Sequence, residues 1–242
     1  MTEQPRDRLG RWAETPRTEP RITSISPRLN VEIDPDNLVA LQTFATHVQR
    51  RGGRAVIVGG TPRDTLLGLP PKDLDIEVLG CDVSDVEASI AETFGDRSAN
   101  LVGASFGTYK VGDFDIAVAR REEATGGGGH RDFEVSFDQE MDFAEASSRR
   151  DFTIGAMGVD PLTWELLDPH RGSEDLAKGI LRHVGDQFVD DPLRALRGCR
   201  FAARFDMRFA PETVRLCEEL ADRAHLLASE RVWGELESTF KQ

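Results

Sequence analysis

The six residues Asp73-Leu74-Asp75-Ile76-Glu77-Val78 alternate acidic and apolar side chains without a break. A β-strand sorts such a pattern: Leu74, Ile76 and Val78 face a core while Asp73, Asp75 and Glu77 share the other face. A helix would scatter the same carboxylates around its circumference. The pattern recurs at Asp113-Phe114-Asp115-Ile116-Ala117-Val118, which predicts a second half-buried strand with Asp113 and Asp115 on one face. Two carboxylates at i and i+2 on a strand face lie close enough to chelate one hard cation, and Mg²⁺ takes one or two carboxylates completed by phosphate oxygens and water. Asp73 and Asp75 meet that spacing. An Asp-x-Asp by itself is more often the solvated edge of a sheet, so its neighbours decide.

Those neighbours are a Gly59-Gly60 turn and a short helical stretch opened by Thr61-Pro62-Arg63-Asp64. Exposed backbone N–H groups at such a turn favour a triphosphate. Upstream, Leu38, Leu41, Phe44, Ala45 and Val48 recur at helical spacing and stop at Gly52-Gly53, and a short apolar strand runs from Ala55 to Val58. Residues 83–94 and 140–150 read as helix, and 152–159 and 164–167 as further strand. After Ser173 the strand signals vanish and helices take over, at 192–205, at 211–227 and from near Ser229. This order predicts an α/β fold, a mixed sheet with flanking helices, followed by an all-α neck. The expected division is a flexible, aperiodic arm over 1–30, a head over 31–170 and a helical neck over 171–242. The glycine-rich run TGGGGH at 125–130 predicts a mobile loop.

With 242 residues, 39% of them hydrophobic, the chain can bury a real core. Its 43 acidic and 30 basic residues, a net charge of −13, exclude a uniformly basic coat, so contact with nucleic acid would need a local basic patch. No apolar run approaches a membrane span, and the first residues lack the apolar segment of a signal peptide. Cys81, Cys199 and Cys217 are widely spaced, without a C-x-x-C pair. The expectation is a soluble, reduced, cytoplasmic protein with no membrane partner, disulfide framework or cysteine-based zinc site.

Residues 59–80 as a whole, GGTPRDTLLGLPPKDLDIEVLG, resemble the signature of the tRNA nucleotidyltransferase and poly(A) polymerase family, the CCA-adding enzymes of the polymerase-β superfamily. Three further segments match in the family's order: Arg149-Arg150-Asp151-Phe152-Thr153-Ile154, then Asp190-Asp191-Pro192-Leu193-Arg194, then Ser229-Glu230-Arg231 through Leu236. The resemblance covers about residues 55–240. It implies a nucleotidyltransferase-type fold and a Mg²⁺-dependent, template-independent enzyme that adds C, A or both from CTP and ATP to a tRNA 3′ end, releasing pyrophosphate. On that resemblance Asp73 and Asp75 are the catalytic, metal-binding carboxylates. Gly60 and Arg63 hold the triphosphate, and Arg150 contacts the nucleotide. Asp115 is a candidate third carboxylate by strand pattern and by analogy with the wider superfamily.

Asp191 before Pro192 reads as a helix cap followed by the favoured first-turn proline. Capping does not require arginines at 194, 197 and 200, whose three-residue spacing keeps them on roughly one side of the helix near an anionic site, so Arg194, Arg197 and Arg200 are expected to bind nucleotide. The resemblance makes Asp191 and Arg194 readers of the incoming base. C and A each present an amino donor beside a ring-nitrogen acceptor, which suits a carboxylate and a guanidinium. U and G would oppose acceptor to acceptor and donor to donor.

The match departs from the family at Gly155, where Asn is usual, and at Asp190, where Glu is usual. Relatives continue past Leu236 into helical regions that grip the tRNA, whereas this sequence stops at Gln242. A natural minimal enzyme, a truncated one and a second chain supplying the missing body and tail are all compatible with that ending. RNA binding would then rest on the arginines at 194–208 and the N-terminal arm. Two rival readings stand beside the leading one: a poly(A) polymerase of the same family, and a non-catalytic nucleotide- or RNA-binding remnant.

Overall fold

The computed structural model describes residues 28–71, 73–95, 107–124 and 133–240. Most of the arm and the glycine-rich run at 125–130 lie outside these residues. Residues 28–31 do not behave as arm: Leu29 and Val31 are buried, and the Leu29 N–H donates to the Trp164 carbonyl at 2.9 Å.

Helix α1 (Pro35–Arg50) starts where Asp34 accepts from the Asp36 and Asn37 N–H groups, and it buries Leu41, Phe44, Ala45 and Val48. Strand β1 (Arg54–Val58) and the short helix α2 (Gly60–Leu66) follow, then β2 (Leu74–Leu79) and α3 (Val83–Phe94). Next come β3 (Thr108–Val111), β4 (Phe114–Val118) and the hairpin strands β5 (Arg120–Ala124) and β6 (Phe133–Phe137). Helix α4 (Phe143–Ser148), strands β7 (Gly158–Val159) and β8 (Leu166–Leu167) and helix α5 (Gly172–Ala177) come next. They are followed by β9 (Ile180–Leu181), α6 (Leu193–Phe205), β10 (Arg208–Phe209), α7 (Pro211–Ala221) and α8 (Ser229–Phe240).

Six strands form one mixed sheet in the order β3-β4-β2-β1-β7-β8. Only β2 and β4 pair in parallel, and this sets Asp75 beside Asp115 and Glu77 beside Ala117. Helices α1 and α3 cover one face, where Ile57, Leu74, Ile76, Val78 and Ile116 meet Phe44, Val48, Val86 and Ile90. A smaller cluster of Val56, Val58, Leu79, Met141, Phe143 and Ala146 covers part of the opposite face. That cover changes the expectation of a half-exposed strand, because Glu77 is 2% exposed and Asp75 only partly so.

A third cluster joins Phe152, Ile154 and Met157 to Leu176, Leu181, Phe188, Phe201, Met207 and Leu220. The strands expected at 152–159 and 164–167 shrink to β7 and β8, with a 3₁₀ turn at Thr153–Gly155 between α4 and β7. Strands β9 and β10 form a two-residue parallel ladder, Ile180 opposite Arg208 and Leu181 opposite Phe209. Two residues are too few to produce a period-2 signal, so the ladder was invisible to pattern reading. Among the described residues no helix is long and apolar enough to cross a membrane.

Candidate active site

Side chains on the open face of the sheet change character along β2. Asp73 is exposed just before the strand, Asp75 half-buried, and Glu77 and Leu79 buried. In register across three strands, Lys110 on β3 lies opposite Asp115 on β4, and Asp115 beside Asp75 on β2. The Lys110 ammonium donates to both Asp115 oxygens at 2.9 Å. Asp113 turns away, accepting from the Asn37 side-chain amide at 3.0 Å. Of the two carboxylates on β4's acidic face, Asp115 is therefore the one beside Asp75. Burial, then the negative charge of Asp115, pushes the Asp75 carboxyl above the usual range against the opposing pull of Arg150. A cation would relieve that crowding.

The Gly59–Gly60 turn closes over Asp75. Gly59 has φ +75°, and a Cβ built on it would stand 2.3 Å from Asp75 Oδ2. Only glycine combines that backbone conformation with so close an approach. The Thr61 hydroxyl donates to the Asp73 carbonyl at 2.8 Å and ties the start of α2 to the start of β2. The donor set is all hard oxygen, and Asp75 carries a carboxyl that burial and Asp115 hold above the usual range, so these residues fit a divalent magnesium-type cation. Among the described residues no three His, Cys, Asp or Glu side chains gather as a ready-made cage. Such a cation would draw its remaining ligands from substrate phosphates and water.

Arg63 lies against the same turn, its Nη2 3.0 Å from where a Cβ on Gly60 would stand, but it is held by other partners. Its side chain is 8% exposed, its Nε donates to Asp64 Oδ1 at 2.8 Å, and its guanidinium lies 4.6 Å over the Phe205 ring and 5.6 Å from that of Phe201. It joins α2 to α6. Arg150 does approach the site: it donates to Glu77 Oε2 at 3.4 Å and to the Gly155 carbonyl at 3.3 Å, and its buried Nε has no partner among the described residues.

The helix-cap reading of Asp191 holds in part, since its Oδ1 accepts from the Leu193 N–H at 3.1 Å. The same carboxylate receives both amino groups of Arg231 at the start of α8, at 3.3 and 2.7 Å. Burial opposes ionisation of Asp191, but the bonds from Arg231 and Leu193 outweigh it and hold the carboxyl below the usual range. Arg194 donates to the Gln187 and Arg149 carbonyls at 2.7 and 2.8 Å. Each of the pair is anchored with hydrogen-bonding capacity left, because a carboxylate has about four lone-pair sites and a guanidinium five N–H groups. Arg197 and Arg200 are more fully engaged. Arg197 meets Asp151 at 2.7 Å and Glu235 at 3.4 Å, while Arg200 meets Glu235 at 2.8 Å and stacks 4.6 Å over Phe201.

A family model described as the poly A polymerase head domain matches residues 55–182, from the start of β1 to just past β9. The chain belongs to that family. The curated relatives of this poly A polymerase-type head include a multifunctional CCA protein of Paracidovorax citrulli, 42% identical over 188 residues and covering 74% of this chain and 43% of the relative. Another, from Nitrosococcus oceani, is 42% identical over 185 residues, covering 75% of this chain and 43% of its own. The chain thus spans under half the length of these relatives. Among solved structures, a Thermotoga maritima CCA-adding enzyme complexed with tRNA superposes with a TM-score of 0.68 at 28% identity over 87% of this chain and 48% of that one. A Bacillus stearothermophilus CCA-adding enzyme in complex with CTP gives 0.67 at 27% identity, covering 86% and 49%.

Around this site of the poly A polymerase-type chain, three participants escaped sequence reasoning. Gly59 was read only as part of a turn, although it is the glycine that abuts Asp75. Arg231 was noted as part of a motif, with no signal that it would seize Asp191. Glu77 was read as one more carboxylate on an open face. The usable signal was the double arginine at 149–150, since a buried acid needs cationic partners.

Proposed function

We propose that the chain is the catalytic part of a template-independent RNA nucleotidyltransferase that adds C, A or both from CTP and ATP to the 3′ end of tRNA. The observation that carries this reading is the Asp75–Asp115 register pair under the Gly59–Gly60 turn, with Asp73 at the solvent end. The CTP- and tRNA-bound relatives support the substrate class. Asp73 and Asp75 would hold Mg²⁺ through their carboxylate oxygens. When bound, such ions lower the barrier by activating the RNA 3′ hydroxyl, orienting the α-phosphate and neutralising the departing pyrophosphate. The backbone of Gly59 and Gly60 and the guanidinium of Arg150 face the triphosphate. Asp191 and Arg194 accept from and donate to the edge of the incoming base. Arg63, given to the triphosphate by the resemblance, and Arg197 and Arg200, given to the nucleotide by their spacing, also hold α6, which carries Arg194, through Phe205, Asp151 and Glu235.

The RNA 3′ hydroxyl gives its proton to solvent as its oxygen bonds the α-phosphorus, the bond from the α-phosphorus to the α–β bridging oxygen breaks, and pyrophosphate leaves with that oxygen. Incubating the chain with tRNA lacking its CCA end and each labelled nucleotide separately tests the reading. Incorporation of C or A, one to three residues long, is expected. Long A tracts with no use of CTP would favour a poly(A) polymerase, and binding without incorporation would favour a non-catalytic remnant. Asp73→Ala should lower transfer by a factor of about a hundred to a thousand, the scale of losing a transition-state charge contact, while circular dichroism stays unchanged.

A further inference from the structure

Glu77 is a carboxylate on the strand that carries Asp75, two residues further in and on the same face, at 2% exposure. Its in-register neighbours are Val56 and Ala117, and the next residue on its face is the buried Leu79. A leucine or valine would suit such a position, and replacing a buried ion pair by apolar residues is often neutral or stabilising. Stability therefore does not account for an acid here.

Its partners do. The carboxylate binds Arg149 through one oxygen in a short ion pair and Arg150 through the other at 3.4 Å. Arg149 is also the junction of the site: its guanidinium donates to the Arg120 carbonyl at the start of β5, and its own carbonyl accepts from Arg194 at 2.8 Å. Arg150 acts electrostatically on Asp75 and keeps a buried, unpartnered Nε. A buried donor with no acceptor among the described residues is the kind of group a ligand satisfies.

We infer that Glu77 is a positioning residue: it holds the Arg149–Arg150 pair so that Arg150 is presented to the nucleotide's phosphates beside Asp75 and Arg149 stays locked under Arg194. The inference rests on the proposed nucleotide role of Arg150. It makes a prediction opposite in sign to simple electrostatics. Removing a negative charge near a triphosphate site should tighten anion binding if Glu77 acts only through its charge; losing a positioning group should weaken it.

The test is calorimetric titration of the full chain with CTP and with ATP, without RNA, so that no turnover enters the readout. Glu77→Gln should weaken both nucleotides about tenfold, at the low end of what loss of a supporting partner costs at such sites, and in a separate transfer assay with tRNA the KM should rise more than kcat falls. Because Glu77→Gln leaves two arginines without a counter-charge, a second variant pairs Glu77→Leu with Arg149→Met and removes the ion pair whole. It should keep or raise the melting temperature and still bind nucleotide weakly. Unchanged or tighter binding in either folded variant overturns the inference. Arg150→Ala separates the two levels: if it leaves nucleotide affinity intact, the role given to Arg150 fails; if it weakens binding while both Glu77 variants do not, only the Glu77 inference fails.

Discussion

Asp75 is held in a state that a carboxylate alone would not choose. It is partly desolvated, sits in register with Asp115, and has the Gly59 backbone pressed against it. Since its folded-state pKa is raised, ionising it costs folding free energy once the pH exceeds the ordinary aspartate value, and the cost is complete above the raised value. Asp75→Asn should therefore melt at higher temperature than the native chain at pH 7–8 in EDTA. The gap should narrow as the pH falls through the raised pKa toward the ordinary range, while transfer is lost at every pH. Equal melting temperatures at pH 8 would mean that the site stores no such strain. Gly59→Ala tests the same spot from the backbone side. A residue with a Cβ at φ +75° costs about 1–3 kcal/mol, and here the new methyl must also displace the Asp75 carboxylate. Urea unfolding should register the loss, and nucleotide addition should fall together with it. By contrast Gly155, the departure from the family pattern, has open space: an added Cβ meets only Asp151 Oδ1 at 3.8 Å.

Helix α6 is the element on which contacts from α2, the 149–151 segment and α8 converge. Arg63 lies over Phe205 and Phe201 from the α2 side, Arg194 binds the Arg149 carbonyl, Arg197 binds Asp151, and Glu235 on α8 joins Arg197 to Arg200. The close seat depends on Gly198, where an added Cβ would stand 2.7–2.8 Å from the rings of Phe209 and Phe152. Gly198→Ala gains roughly 0.8–1 kcal/mol of helix propensity, but overpacking costs about 1–3 kcal/mol, so the net should be destabilising or near zero. Lifting α6 would also raise the KM for nucleotide, measurable beside a urea titration. The helix itself was legible in the sequence: 192–205 was expected and Leu193–Phe205 observed. So were α3, β1 and both carboxylate strands, because each has a clear period or cap. What periodicity could not show was which charges the fold would absorb. Arginines at 63, 197 and 200 look alike in sequence whether they face solvent, ligand or a carboxylate from a distant element. The partners Asp151, Glu235 and Phe205 come together only through tertiary packing. The β9–β10 ladder and the burial of Glu77 were hidden for the same reason.

At the scale of the molecule, a net charge of −13 must coexist with binding a polyanion, if the proposed function holds. The arginines of α6 were expected to supply the grip, yet Arg194 is bonded to two carbonyls, Arg197 to two carboxylates and Arg200 to one. Cations satisfied within the protein release few counterions from RNA. Exposed Arg208 at the start of β10 and Arg204, stacked over Phe205 at 4.9 Å, are better placed to meet phosphate. With only two or three phosphates neutralised, and each worth roughly 0.7–0.9 in the slope of log affinity against log salt, the chain's affinity for tRNA should fall with a slope near −2. That is about a fifteenfold loss from 50 to 200 mM KCl, measurable by fluorescence anisotropy of labelled tRNA. Arg208→Ala should flatten the slope by nearly one unit, and Arg200→Ala should leave the slope unchanged while lowering stability, because its charge is already met by Glu235. A slope of −5 or steeper in the native chain would show that cations outside α6 and β10 dominate the contact, and the N-terminal arm with its arginines at 6, 8, 11, 17 and 21 would be the segment to truncate next.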